Sequence, residues 1–199
     1  VISIGMAPFF MNTAACLIVI LINQGLQRHG GDLAIGAYGI VNRVSFVFVM
    51  IVLGLNQGMQ PIVGYNFGAR QYNRVTGALK LTIIIATAIM TLGFLAAEIF
   101  PRAICMIFTT DEELIQHAVK GMRIVFMCSP IVGFQIVTGN FFQSVGMAGK
   151  SVFLSLTRQL LFLLPGLLIL PHFLGTNGIW ISMPVSDALS SFVAFVILY

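Results

Sequence analysis

The sequence predicts an all-α, polytopic membrane protein. Of its 199 residues, 58% are hydrophobic and only 8% are charged, and the mean hydropathy is +1.01. A soluble domain of this size could not bury so much apolar side-chain surface. Most of the long uncharged runs, of which the first covers residues 1–27, exceed the roughly 20 residues that cross a bilayer core. Composition and run length therefore indicate several transmembrane helices.

Turn residues and charges divide the chain into six predicted spans. Glycine, proline and charged residues cluster at 28–32, 66–73, 101–113, 146–150 and 171–177, where helices are expected to end. The first run is too long, and lacks the basic start, to be a cleaved signal peptide. The predicted transmembrane helices are 3–26, 34–58, 76–99, 114–145, 151–170 and 178–199.

The second predicted span ends in a run of glycine, amide and proline residues. A proline lacks the amide hydrogen that a helix needs, so we expect the helix to break here. Broken backbone at membrane depth must be buried in protein or line a wet cavity. Composition alone favours an ordinary structural helix end, and a gating element is the alternative. The helix-break and gating candidates are Gly58, Pro61, Gly64 and Gly68, and the neighbouring amide candidates are Gln57 and Gln60.

Few charged side chains lie deep within the predicted spans. At about 1.5 Å rise per residue, Arg43 lies at the same depth as Asp187, and Arg158 lies within roughly 6 Å of it. Intramembrane charges are costly and normally pair with one another or face a cavity. We therefore expect Asp187 to form a structural ion pair with Arg43 or Arg158. Participation of these charges in ion coupling or substrate binding is the alternative.

Uncharged amide side chains form a further group of candidates for substrate or ion binding. In transmembrane helices such side chains commonly form hydrogen bonds between helices. We expect that structural role and keep ligand binding as the alternative. The residues are Asn12, Gln57, Gln60, Gln135, Asn140 and Gln143.

Two alternate loops carry basic residues and no acids. Arg70, Arg74 and Lys80 lie in or near one of them, and Lys150 lies in the other. Basic residues in short loops mark the cytoplasmic side of a membrane protein. We therefore expect residues 66–80 and 146–150 to be cytoplasmic.

Several functional classes lack support in the sequence. The chain contains no HExxH, Walker or G-x-S-x-G motif, so no catalytic residue, metal site or organic cofactor is predicted. It also has no basic stripe with interleaved aromatic residues, which excludes nucleic acid as a predicted partner. The sequence does not predict an enzyme.

Several stretches resemble the multidrug and toxic compound extrusion (MATE) family. The first is QGMQPIVGYNFGA at 57–69, which resembles the family signature. FFQSVG at 141–146, SLTRQ at 155–159, Pro165 and GIWISMPVSD at 178–187 are similar to the final three helices of bacterial members. The resemblance covers nearly the whole chain.

This resemblance implies the C-terminal lobe of a twelve-helix, pseudo-symmetric transporter whose N-terminal lobe is missing from this chain. Members export amphipathic or cationic compounds by alternating access, driven by antiport of sodium ions or protons. The implied partners are small drugs, the lipid bilayer and the missing lobe. The coupling ion would be Na⁺ or H⁺, and the implied location is the bacterial cytoplasmic (inner) membrane.

The chain departs from the family in one respect. Some sodium-coupled relatives carry a glutamate in the seventh helix and an aspartate in the tenth, yet residues 3–26 and 114–145 contain no acid. That departure favours a coupling carboxylate in the missing lobe. A lipid-linked oligosaccharide flippase of the same superfamily is an alternative that the Gln-Gly-x-Gln-Pro motif disfavours. An integral membrane enzyme acting on lipids is another, disfavoured by the missing catalytic constellation.

Overall fold

A computed structural model describes the backbone of residues 2–198 and the side chains of residues 13–198. This part of the chain is almost entirely helical and contains no strand. Its helices are α1 (Ile2–Gly68), α2 (Tyr72–Ile99), α3 (Pro101–Met106), α4 (Glu112–Phe126), α5 (Ser129–Ser144), α6 (Ala148–Leu156), a π-helix (Thr157–Leu163), α7 (Leu164–Leu174) and α8 (Thr176–Leu198).

Helix α1 is a hairpin with two limbs. It turns at Gly31, whose φ of 64° and ψ of −161° are readily adopted only by glycine. Residues at matching distances from this turn, such as Ile22 with Val41 and Ala15 with Val49, line one shared cavity. The two limbs therefore run antiparallel and cross the membrane separately.

We assign six membrane crossings to the described residues, counting the two limbs of α1 separately. Four helical segments are long and apolar enough to cross, and the bent pair α4 and α5 adds a fifth. Helix α1 is counted as one of those four segments, but its turn at Gly31 divides it into two limbs. Counting each limb as a crossing gives six. All five predicted breaks coincide with the turn at Gly31 or with helix ends. The predicted fold class is therefore confirmed.

Alternate turns lie at opposite ends of the bundle, as the sequence predicts. At one end, Thr176 Oγ1 donates a hydrogen bond to the His29 carbonyl at 2.9 Å, which joins the α7–α8 turn to the turn of α1. At the other end, the end of α5 lies against α1, where a Cβ on Gly64 would approach the Ser144 carbonyl at 3.4 Å. The α1–α2 and α5–α6 turns, which carry the basic residues, therefore share this second end.

Small residues let the helices pack closely around an apolar core. A Cβ at Gly133 would lie 2.9 Å from the carbonyl oxygen of Ala86, so a glycine is needed where α5 meets α2. A Cβ at Gly121 of α4 would lie 2.6 Å from the ring of Trp180 on α8. These contacts fix α2, α4, α5 and α8 against one another and so position the polar residues described below.

The predicted helix break at Pro61 is wrong. Helix α1 continues to Gly68, and Gly31 is its one residue with non-helical φ and ψ among the described residues. Pro61 is exposed and cannot donate the backbone hydrogen bond of its position, yet the helix continues through it. Close approach is also absent at Gly58, where an added Cβ would meet no atom within 4 Å.

Two irregularities were not predicted. The fourth crossing bends by 54° between α4 and α5, and Pro130 lies in the first turn of α5. Pro130 is the sequence signal for this bend, because a proline is tolerated in the first turn of a helix but interrupts a continuous one. The fifth crossing contains the π-helix between α6 and α7, which no feature of the hydrophobic pattern indicates.

Candidate functional site

A buried ion pair joins the fifth and sixth crossings. Arg158 of the π-helix donates a hydrogen bond from Nε to Asp187 Oδ1 of α8 at 2.7 Å. The Asp187 side chain is 8% exposed and the Arg158 side chain 37% exposed. A charge-assisted bond of this length is strong in a poorly hydrated site. The predicted pairing of Asp187 is confirmed, and its partner is Arg158.

Arg43 does not take part in this pair. Its side chain is exposed on the second limb of α1, and it belongs to none of the ion pairs among the described side chains. The position of a residue along its helix gives its depth in the membrane, but it does not give the direction in which the side chain points. That is why Arg43 and Arg158 were indistinguishable as partners from the sequence.

One side of the ion pair opens into a cavity of about 270 Å³, which we call the mixed cavity. It lies between the two limbs of α1, α4, the π-helix and α8. Most of its wall is apolar, with Ile18, Val19, Phe46 and Met183 among the lining residues. Apart from Tyr38, its polar and charged lining residues are Asn42, Ser45, Arg158, Gln159, Ser186 and Asp187.

A second cavity of about 160 Å³, the polar cavity, lies between α5, α6 and the π-helix. Four of the candidates chosen from the sequence meet there, namely Gln135, Asn140, Gln143 and Arg158. Sequence reasoning missed its remaining polar lining, because residues on different crossings are brought together only by packing. Those residues are Ser151, Ser155 and Gln159.

Two amide oxygens of the polar cavity are buried without a donor. Gln135 is 6% exposed, and neither its Oε1 nor that of Gln159 accepts a hydrogen bond from any described residue. By contrast, Asn140 Nδ2 donates to the Ile136 carbonyl at 2.9 Å. A buried acceptor without a donor costs free energy, because it has lost its hydrogen bonds to water. Most such atoms in folded proteins therefore have a hydrogen-bond donor.

Arg158 and Gln159 form the partition between the two cavities, since both residues line both of them. They are consecutive residues of the π-helix. A π-helical turn contains an extra residue and is frequently found at functional sites. The irregular turn thus places a charged and an amide side chain between two otherwise separate spaces.

The structure does not bring the other candidates to this site. Gln57 and Gln60 are exposed side chains of α1 and line neither cavity. Asn12 lies outside the described side chains. Asn56, beside these glutamines, is buried, and neither of its amide atoms has a hydrogen-bond partner among the described residues. Within the same part of the chain, no three His, Cys, Asp or Glu side chains are grouped to hold a metal ion.

Comparison of the sequence with known proteins identifies related transporters. The sequence profile of the MatE family matches residues 4–168. The multidrug export protein MepA of Staphylococcus aureus (strain MSSA476) is 24% identical over 98% of this chain and 43% of its own length. MepA of Staphylococcus haemolyticus (strain JCSC1435) is 23% identical over the same shares.

Solved structures share the fold. The MATE multidrug transporter DinF-BH, solved as a complex, superposes with a TM-score of 0.85 at 40% identity, over 98% of this chain and 44% of its own. An outward-facing MATE family transporter of the MOP superfamily superposes at 0.89 with 19% identity, over 97% of this chain and 44% of its own. The chain therefore spans less than half the length of the relatives it matches.

Proposed function

The chain belongs to the MatE family, and on this basis we propose that it forms one half of a secondary active transporter that exports amphipathic or cationic compounds. Its six apolar crossings make it an integral membrane protein, and its bacterial MepA relatives place it in the cytoplasmic (inner) membrane. The relatives are more than twice as long as the matched region, which supports a second lobe that completes the pathway.

The observation that carries this proposal is the chemistry of the mixed cavity. A carboxylate, Asp187, lies in a wall that is otherwise largely apolar. The ring of Phe46 and the thioether of Met183 suit an apolar, planar ligand, since aromatic faces attract cations and methionine adapts its shape. An amphipathic cation would bury its apolar body against this wall and place its charge near Asp187.

Export against a concentration gradient needs an energy source, which we assign to antiport of sodium ions or protons. A carboxylate inside the membrane is the usual group for such coupling. In this chain Asp187 is already neutralised by Arg158. We therefore place the coupling carboxylate in the other lobe and give Asp187 the role of a counter-ion in this one.

The proposal is tested with full-length protein in inverted membrane vesicles, where export becomes uptake. Uptake of ethidium, a planar aromatic monocation, should follow an imposed proton or sodium gradient and stop when an ionophore collapses that gradient. Vesicles without the protein give the background. Uptake that persists with both gradients collapsed and requires ATP would contradict secondary transport.

A further inference from the structure

The two unpaired amide oxygens and the ion pair are parts of one arrangement. Arg158 touches both cavities, and its Nε bonds Asp187 on the mixed-cavity side. Of the two cavities Gln135 lines the polar one and Gln159 lines both, and the Oε1 of each is a buried acceptor without a donor among the described residues. A guanidinium carries five N–H donors and no acceptor, so these oxygens match the chemistry of the Arg158 head group.

We infer that Arg158 has two alternative sets of partners, and that a cationic ligand in the mixed cavity decides between them. Without ligand, Arg158 pairs with Asp187. When a monocation reaches Asp187, its charge replaces that of the guanidinium, and the Arg158 head group turns into the polar cavity. There it donates hydrogen bonds to Gln135 and Gln159. The inference rests on the proposed function for the identity of the ligand, and it assigns Gln135 and Gln159 as positioning residues.

Burial makes the alternative partners necessary. Removing one member of a buried ion pair leaves the other charge uncompensated, which is strongly destabilising. Asp187 is 8% exposed and lines the mixed cavity, so a ligand charge that reaches it there competes directly with Arg158. The displaced guanidinium avoids most of the penalty if it remains hydrogen-bonded, and it is already partly exposed at the boundary of the polar cavity.

This exchange selects ligands by charge. A neutral compound of the same shape contacts the wall but leaves the ion pair intact, so it gains nothing from hydrogen bonds between Arg158 and the two glutamines. When a monocation binds, its charge lies beside Asp187 in the mixed cavity, and the displaced Arg158 head group lies in the polar cavity. The substrate class is therefore an apolar, planar monocation small enough for a cavity of about 270 Å³ on this side of the pathway.

Ligand binding provides the first test. Purified full-length protein is titrated with ethidium and, separately, with the neutral dye Nile red. Gln135→Leu, which is outside the mixed cavity, should weaken ethidium binding about tenfold and leave Nile red binding unchanged. Gln159→Leu, which also changes the wall of the mixed cavity, should weaken ethidium binding about tenfold more than it changes Nile red binding. Gln143→Leu is the matched control, because Gln143 lines the same cavity but is exposed and has no unpaired buried oxygen. Equal ethidium affinity in all three variants and wild type would overturn the inference.

A thermal-stability cycle without ligand provides the second test. In Asp187→Asn protein, Arg158 has lost its carboxylate and should depend on the amide oxygens. Gln159→Leu should then lower the unfolding midpoint by about 3 °C or more, against less than about 1 °C in the wild-type background. Equal shifts in both backgrounds would contradict the second set of partners.

The two tests separate this inference from the proposed function. If wild-type protein binds no ethidium, the proposed function is wrong, while the stability cycle still tests whether Arg158 uses the amides. If wild-type protein binds ethidium and the glutamine variants bind it equally well, only the exchange is wrong. Should Asp187→Asn fail to fold, the ligand titrations decide alone, since they keep Asp187.

Discussion

Two crossings of almost equal length show how differently apolar helices are used in this protein. Helix α2 is 28 residues long, and the fifth crossing, Ala148–Leu174, is 27. Helix α2 is a regular α-helix whose buried residues are all apolar or glycine. The fifth crossing contains the π-helix, Arg158 and buried polar residues such as Ser151 and Thr157. Apolar composition brings both segments into the membrane, whereas irregular backbone and polar side chains distinguish the one that forms the site.

The largest effect is expected at the ion pair of the fifth and sixth crossings. Asp187→Asn leaves Arg158 without its carboxylate. We expect this to lower the free energy of unfolding by about 3 kcal/mol, the low end for a broken buried pair, because the amide oxygens accept hydrogen bonds from the freed guanidinium. Membrane abundance and the unfolding midpoint should fall. In the double variant Asp187→Asn with Arg158→Gln, both should recover. A single variant as stable and abundant as wild type would show that the pair contributes nothing to folding.

A smaller effect is expected where α2 acts as scaffold. Gly133→Ala forces a methyl group to within 2.9 Å of the Ala86 carbonyl, and such overpacking costs about 1–3 kcal/mol. The control Gly77→Ala, on α2 itself, has no atom within 4 Å of the new methyl group and should be neutral or slightly stabilising. Unfolding midpoints measure both. Equal midpoints would show that α2 and α5 do not approach as closely as described.

A third prediction concerns Pro61, where the helix is continuous but lacks one backbone hydrogen bond. Pro61→Ala restores that bond and should stiffen this turn of α1, without changing how apolar the span is. We expect normal membrane abundance and a severalfold slower ethidium efflux. The exposed neighbour Ile62→Ala serves as the control. Wild-type efflux in Pro61→Ala would show that the missing hydrogen bond has no role in transport.

The smallest effect is expected at the surface pair of Arg102 with Glu112. Their closest side-chain atoms are 2.9 Å apart, but the side chains are 61% and 51% exposed. Exposed pairs of this kind contribute about 0–1 kcal/mol, so Arg102→Gln should change the unfolding midpoint by little. If Arg102→Gln lowered the unfolding midpoint as much as Asp187→Asn does, the difference in burial between the two ion pairs would not explain their contributions to stability.

The crossings and their ends could be predicted from the sequence, because apolar length and turn residues are local signals. Gly31 is an example, since it lies within a predicted break and provides the positive φ of the turn. The choice between Arg43 and Arg158 could not be made, because rotation about the helix axis is set by packing. The π-helix could not be predicted either, because its sequence, Thr157–Leu163, has no proline or glycine to mark an irregular turn. The prediction at Pro61 failed because the helix tolerates one missing hydrogen bond.

The most direct measurement compares ethidium and Nile red binding by full-length protein in which Asp187→Asn and Arg158→Gln are combined. This double variant removes both charges of the site and leaves the scaffold of α2 and α5 untouched. If the fifth and sixth crossings hold the cation site, the variant should fold, bind Nile red as wild type does, and bind ethidium at least about tenfold more weakly. Wild-type affinity for ethidium in a well-folded double variant would contradict the assignment of Asp187 as the counter-ion for the transported cation.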